Sequence, residues 1–229
     1  MISKIKEIYV SLIYADHNRS KKVQRMVNDL ISQQPDTSFI LNIGSGNKKI
    51  AHNIRNLDIF EGQNIDYVGT AEKIPIENDT VDLIITQEAF EHIQNPRKAI
   101  LECNRILKRG GIIYFQVPFI IGYHPGPTDF IRFTREGVIE FLESSGFMIK
   151  KIDISVGGAT GFYRICVEFF AILTSGPIKI LYIPSKALFS FILYPLKFLD
   201  FWFNISQQRD RISGGYFAVA VKKDSIRND

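Results

Sequence analysis

The sequence has little cysteine. Its two cysteines, Cys103 and Cys166, share no Cys-x-x-Cys spacing. That excludes a disulfide framework and a cysteine-built zinc cluster, and makes a reducing cytoplasm the default compartment. Long apolar runs are missing too. Between Glu168 and Asp200 no charge-free stretch exceeds ten residues, whereas a spanning helix needs roughly 20 apolar residues. The opening MISKIKEIYVSLIYADHNRS is interrupted by Lys4, Lys6 and Glu7 and has no small-residue cleavage site, so it does not read as a signal peptide. There is no basic stripe: 28 Lys and Arg against 24 Asp and Glu leave a net charge of +4, scattered or in short pairs such as Lys48-Lys49. Nucleic acid is therefore not an expected partner, while an anionic ligand or membrane surface is compatible with the charge. Repeats and low-complexity segments are absent.

What is present is a globular composition, 45% hydrophobic and 23% charged over 229 residues, enough for one domain with a sizeable core. Apolar residues at Val23, Met26, Val27, Leu30 and Ile31 predict a helix within Asn18–Ser32. Short apolar runs predict strands at Phe39–Ile43, Ile54–Ile59, Asp66–Val68, Val81–Thr86, Ile112–Val117, Phe147–Ser155 and Tyr216–Val221. Asn95-Pro96 opens a helix to Leu107, with Gly110-Gly111 beyond its end. Thr134 caps another that closes at Gly146. Strands alternating with helices predict an α/β fold, a mainly parallel seven-stranded sheet with helices on both faces. In such sheets ligands lie beyond the carboxyl ends of the strands, where strand order reverses.

Residues 161–206 stand apart. They hold eight phenylalanines and the one tryptophan, among them Phe162, Phe169, Phe198 and Trp202, with Pro177, Pro184 and Pro195 as breakers. Two readings stay open: helices capping the domain, or an apolar surface that docks on a bilayer or a lipid-like substrate. The organisation expected is one domain over 1–229: N-terminal helices (1–36), a core (37–160), the apolar insertion (161–206), then the last strand and tail (207–229).

The chemistry starts at LNIGSGN. The apolar run delivers Gly44-Ser45-Gly46, whose glycines let a ligand approach backbone N–H groups. Asp58 ends the next strand, where an acid can accept both hydroxyls of a ribose; a surface-turn aspartate would look the same. Only 12 positions separate Gly46 from Asp58. A dinucleotide fold places that acid about 20 residues on, after a helix that meets the pyrophosphate. A ligand with one ribose and no pyrophosphate fits this spacing better.

The ordered series LNIGSGN, NLDIF, TAEKIPIENDTVDLIITQEAFEHIQNP and ILKRGGIIYFQVP resembles the class I S-adenosylmethionine-dependent methyltransferases, nearest to the small-molecule type 11 branch, over about Ile40–Gly146 plus the last strand. The resemblance implies a Rossmann-like sheet with the last strand antiparallel, and S-adenosyl-L-methionine as cofactor. It implies that Gly44, Ser45 and Gly46 lie against the methionine part, Asp58 on the ribose, Ala71 and Glu72 beside the adenine, and Gln87 and Glu88 near the methyl group. Glu91-His92 follows on the next turn, and Gly110-Gly111 turns into strand five. Two positions depart from the pattern. Asn42 stands where the family usually has an acid to attract the cofactor's ammonium, and Thr70 where an Asp often meets the adenine.

Methyl transfer from a sulfonium requires alignment of an acceptor opposite the sulfur, and a hydroxyl acceptor also needs a base. The loop GYHPGPTDFIRFT follows strand five and offers Tyr123, His124 and Arg132 toward a substrate and His124, Asp129 and His92 as catalytic candidates. Asp129 and Arg132 could instead pair with each other, and His92 could be a cap or core histidine. No metal site is expected. Two functions compete: a methyltransferase acting on a small molecule, such as a glycan or lipid-linked precursor at the inner membrane face, and a non-catalytic binding protein on the same fold.

Overall fold

In the computed structural model the described residues are 20–223; the expected helix content of 1–19 and the end of the tail lie outside them. Contacts divide the chain into two compact units, one of Lys21–Pro118, His124–Asp153 and the last strand, the other of Phe119–Tyr123 and Ile154–Gly215.

The first unit carries most of a seven-stranded sheet. Its elements are α1 (Lys21–Ser32), β1 (Ile40–Ile43), β2 (Ile54–Asp58), β3 (Tyr67–Val68), β4 (Val81–Gln87), α2 (Pro96–Ile106), β5 (Leu107–Pro118), α3 (Arg135–Glu143), β6 (Phe147–Val156) and β7 (Gly215–Lys222). The strand order is β3-β2-β1-β4-β5-β7-β6. β1 runs parallel to both β2 and β4, and β4 to β5. β7 is antiparallel to β6: the N–H of Lys223 donates to the carbonyl of Gly146, and that of Gly214 to Val156. The expected Rossmann-like fold with an antiparallel last strand is the fold observed.

The strands read as they do because of what covers them. β1 is buried along its whole length, and a central parallel strand covered on both faces has no polar alternation to show. On one face Val23, Val27 and Leu30, at i, i+4 and i+7 of α1, pack with Leu83, Ile85, Tyr114 and Phe217. On the other, Phe115 sits among Phe90, Phe133 and Phe141, the last from α3. Tyr114 and Phe115 are adjacent in β5 and so point to opposite faces, which puts helices on both. Each such fully buried side chain contributes about 1.5–3 kcal/mol.

α3 starts as its sequence indicates, the Thr134 hydroxyl accepting from the Gly137 N–H. The fifth strand differs. Backbone pairing begins at Leu107 opposite Val81 and resumes at Ile112 opposite Leu83, so residues 108–111 loop out inside the strand. Gly110, with φ +71°, makes this excursion, which reads in sequence as the turn before a strand.

The second unit is helical: α4 (Gly158–Ser175), α5 (Lys179–Ile192), a 3₁₀ segment (Tyr194–Leu199) and α6 (Asp200–Ile205). Asp200 caps α4, accepting from the N–H groups of Ala159 and Thr160, where a carboxylate also meets the positive end of the helix. The site needs Gly157, because a Cβ there would lie 2.1 Å from the Asp200 carboxylate. Pro184 does not break the chain as its type suggests. It lies inside α5, at the cost of one backbone hydrogen bond. The interior is small, Tyr163 and Val167 with Leu193 and Leu196 against them. Among the described residues no single helix is long and apolar enough to cross a membrane, though α5 and the bent run Tyr194–Ile205 meet that measure together, with 46° between them.

Candidate active site

Register brings three loops together. Ile43 lies level with Leu57 of β2 and Thr86 of β4, so Gly44, Asp58 and Gln87 leave the sheet side by side. β1 and β4 flank the point where strand order reverses, the position at which open α/β sheets bind ligands. A pocket of about 360 Å³ opens there, lined by Gly44, Gly46, Asp58, Ala71, Glu72 and Glu88 among others.

Gly44 has φ +71°, and a Cβ on it would come within 2.4 Å of the Ala89 Cβ. Both facts exclude any other residue. The backbone from Gly44 to Ile54 contains no helix, so the loop offers amide groups but no long helix N-terminus for a pyrophosphate. Asp58 is held at the lip: one carboxylate oxygen accepts from the Gly46 N–H at 2.8 Å and the other from the Phe60 N–H at 3.1 Å. An ionised carboxylate has about four acceptor positions, so these two bonds orient it and leave capacity for paired hydroxyls.

Other expected residues are held by hydrogen bonds of their own, Thr70, Glu72 and Glu88 within the lining. Asn42 is not part of the lining; its side-chain amide donates to Asn56 Oδ1 at 3.0 Å, and Asn56 in turn donates to the carbonyls of Lys48 and Asn64. Ser45 is buried and also outside the lining. The Thr70 hydroxyl accepts from the Glu72 N–H. The Glu72 carboxylate accepts from the backbone and side-chain N–H groups of Asn95, where α2 begins. Gln87 lies beside Gln116, which donates to Glu88 Oε1 at 3.1 Å. Glu88 itself has φ +53°, a conformation sparsely populated by non-glycine residues and suited to turning the chain sharply out of β4.

The pocket's lining also includes Phe60, Ile93, Gln94 and Pro127, which the sequence did not single out. They lie inside the quoted runs without a residue type that signals a role, and Pro127 joins them where the 124–133 loop folds back onto the turn Phe90–His92. That docking includes bonds from the Phe130 N–H to the Glu91 carbonyl at 2.8 Å and from the His92 Nδ1–H to the Thr128 carbonyl.

A polar cluster lies under this loop. Arg132 grips Asp129 with both terminal nitrogens, and Asp129 also accepts from the His124 N–H at 3.0 Å. Burial would raise the Asp129 carboxyl, but the Arg132 guanidinium and the His124 amide outweigh it and hold it down at about 2. A carboxylate that acidic is a weak base, so the i, i+3 pairing left open in the sequence is the arrangement adopted, and Asp129 positions the loop. His124 and His92 stand edge to face, 5.2 Å between ring centres. Between them is Glu91, with no exposed surface, its Oε1 3.5 Å from His92 Nε2 and 3.6 Å from His124 Nε2. Burial, then the neighbouring Glu88 charge, pushes its carboxyl up to about 8. Tyr123 belongs to the second unit and is exposed.

Comparison with known proteins agrees with this geometry. Residues 41–115 match a family model described as a methyltransferase domain. The chain is 24% identical over 176 residues, 66% of its length, to a sarcosine/dimethylglycine N-methyltransferase of Aphanothece halophytica, and spans 58% of that relative. It is 42% identical over 48 residues, 21% of its length, to a malonyl-[acyl-carrier protein] O-methyltransferase of Methylococcus capsulatus, 18% of which is covered. The chain thus spans less than two thirds of these relatives. Among solved structures, a Haemonchus contortus phosphoethanolamine N-methyltransferase 2 in complex with S-adenosyl-L-methionine superposes over 97% of this chain and 57% of that one, with a TM-score of 0.60 and 14% identity. The matched segment supplies β1, β2, β4, α2 and the Gly44–Gly46 loop, so the likeness to a methyltransferase domain falls on the part of the chain that builds the pocket.

Proposed function

We propose that the protein transfers the methyl group of S-adenosylmethionine to a small molecule, a glycan or lipid-linked precursor presented at the inner face of the cytoplasmic membrane. The observation that carries the cofactor part is Asp58, oriented by the Gly46 and Phe60 amides at the lip of a pocket with no helix behind its glycine loop. Such a site suits one ribose, and Gly44 and Gly46 open backbone amides to the aminoacyl end. Glu88, also in the lining, is the residue we assign to the methyl end. The bound cofactor supplies an electrophilic methyl carbon; the chain's own work is to hold an acceptor in line with it. His92 is the titratable side chain of the pocket lining that also touches the 124–133 loop, which makes it the candidate base, with His124 and Arg132 toward the acceptor.

Calorimetry with S-adenosylmethionine and its demethylated product tests this reading. Micromolar binding is expected, and Asp58→Ala should weaken it about 10- to 100-fold, the value of losing hydrogen bonds to a charged group. No binding at millimolar cofactor would overturn the reading. The competing one, a binding protein with a decayed site, draws on Asn42 and Thr70. Both side chains have structural partners, Asn56 and the Glu72 amide, so their identity does not argue for lost catalysis.

The membrane part draws on the second unit. Phe169, Phe191, Phe198, Phe201 and Trp202 are each more than half exposed, and Lys179, Lys186 and Lys197 punctuate them. An exposed apolar set of this size marks an interaction surface, and interleaved lysines suit an anionic bilayer. Co-sedimentation with anionic vesicles is expected, and should fall when Phe198 and Trp202 are both changed to Ser. Equal recovery in the supernatant with and without vesicles would overturn it.

A further inference from the structure

The cluster beneath the 124–133 loop contains a group that methyl transfer does not explain. Glu91 is fully buried, and neither of its carboxylate oxygens has a hydrogen-bond partner. Buried polar atoms are almost always bonded, so an orphan of this kind calls for an explanation, a bound water or ion among them. Its Oε1 faces two imidazole nitrogens, His92 Nε2 at 3.5 Å and His124 Nε2 at 3.6 Å, and one donor atom from each of the three residues lies within 4.8 Å of the others.

The state of His92 sharpens this. A carbonyl oxygen can only accept, so the bond to Thr128 assigns the ring proton to Nδ1. His92 Nε2 then presents a lone pair to a carboxylate oxygen. An ionised Glu91 beside that lone pair leaves a place for a cation between the two atoms, whereas a protonated one fills it with its own hydrogen, which is the metal-free alternative. The terminal nitrogens of Arg132 are engaged with Asp129.

The geometry points to a divalent metal site, zinc by preference, built from Glu91 Oε1, His92 Nε2 and His124 Nε2, with one position open at the pocket. Zinc binds imidazole nitrogen and carboxylate oxygen at about 2.0–2.2 Å in a tetrahedron, whose edges are then about 3.3–3.5 Å, the spacing seen from Glu91 to both histidines. Two histidines, one carboxylate and a free position form a catalytic type of donor set. The supporting contacts are of the expected kind: a metal-bound imidazole gives its other N–H to a carbonyl or carboxylate. His92 has the Thr128 carbonyl, and His124 Nδ1 lies 3.5 Å from Asp129 Oδ2. The same nitrogen is 3.2 Å from Arg132 Nη2. If Arg132 donates to it, the His124 proton moves to Nε2 and the cluster becomes a metal-free proton-sharing group; that is the rival outcome.

His92 also lines the cofactor pocket. The use of the open position therefore rests on the methyl-transfer reading, with His92 serving as a ligand in place of the base: the position would take a hydroxyl or carboxylate oxygen of the acceptor. A bound hydroxyl becomes more acidic. It loses its proton to water, its oxygen bonds to the methyl carbon, and the carbon–sulfur bond breaks with its electron pair to sulfur.

The test uses the tag-free full chain, stripped with a chelator. Titration with zinc chloride, followed by elemental analysis after gel filtration, should give one zinc per chain. His124→Ala and Glu91→Gln should each weaken binding at least tenfold while leaving the circular dichroism spectrum unchanged. Cobalt(II) should give the intense visible bands of a four-coordinate site, lost in His124→Ala. If Glu91→Gln fails to fold, His124→Ala and the cobalt spectrum decide. Less than a tenth of an equivalent of zinc, or equal binding by wild type and variants, overturns the site. S-adenosylmethionine binding measured in chelator separates the two readings: cofactor affinity without zinc uptake sinks the metal site alone, and zinc uptake without cofactor affinity sinks the methyl-transfer reading alone.

Discussion

The sheet unit and the helical 154–215 unit have similar appetites for apolar residues and opposite ways of satisfying them. In the first, Val23, Leu41, Ile84, Tyr114 and Phe115 are completely buried between helices and sheet. In the second, among the described residues, a handful of side chains around Tyr163 and Val167 are buried, while phenylalanines and Trp202 remain open. Apolar content therefore does not by itself define a core. A sheet with two covered faces gives every strand residue a place to go; three helices and a short 3₁₀ run have too little interior for theirs.

Substitutions can break that contrast. The largest effect is expected at Gly44→Val in the sheet unit. The added side chain meets Ala89 and demands φ +71° of a β-branched residue, so a loss of more than about 3 kcal/mol is expected by chemical denaturation. A fully stable variant would mean the loop is not locked. Next, Val27→Ala removes a buried side chain from the face of α1 and should cost about 1–3 kcal/mol, whereas Phe191→Ser in the second unit should leave stability within about 0.5 kcal/mol. Equal losses would show that the second unit's surface is buried in solution. Asp200→Ala should destabilise that unit by about 1–2 kcal/mol, through loss of the α4 cap, read by amide exchange in α4. A small effect belongs to Glu102, which braces Arg105 as Arg105 holds the carbonyls of Ile74 and Ile76. The bond to Arg105 lowers the Glu102 carboxyl, so its stabilisation is present above the unfolded pKa and declines as pH falls below about 4.3. Glu102→Gln should cost less than about 1 kcal/mol near neutral pH and flatten that acid limb.

The fold was largely legible, for reasons tied to individual segments. Ile40–Ile43 and Val81–Gln87 are short β-branched runs that no other burial pattern produces so readily, and Thr134 announces α3 through a local hydrogen bond. The looped residues 108–111 were not legible as part of a strand, because pairing across a long bulge depends on the partner β4 and not on local type. Pro184 misled for the related reason that helix packing can absorb one lost bond. In the site, Gly44, Gly46 and Asp58 could be read because backbone conformation and strand ends dictate them. Asn42 could not be set apart from the pocket lining until Asn56 was seen beside it.

The sequence by itself determined the strand–helix alternation, the glycine loop and the short reach from Gly46 to Asp58, since each follows from periodicity, turn chemistry or chain length. Only the tertiary structure decided that Asp129 is spent on Arg132, that Phe60 and Pro127 reach the pocket, and that Glu91 lies buried between His92 and His124. Those are meetings of side chains distant along the chain, and their burial and charge are set by what folds over them.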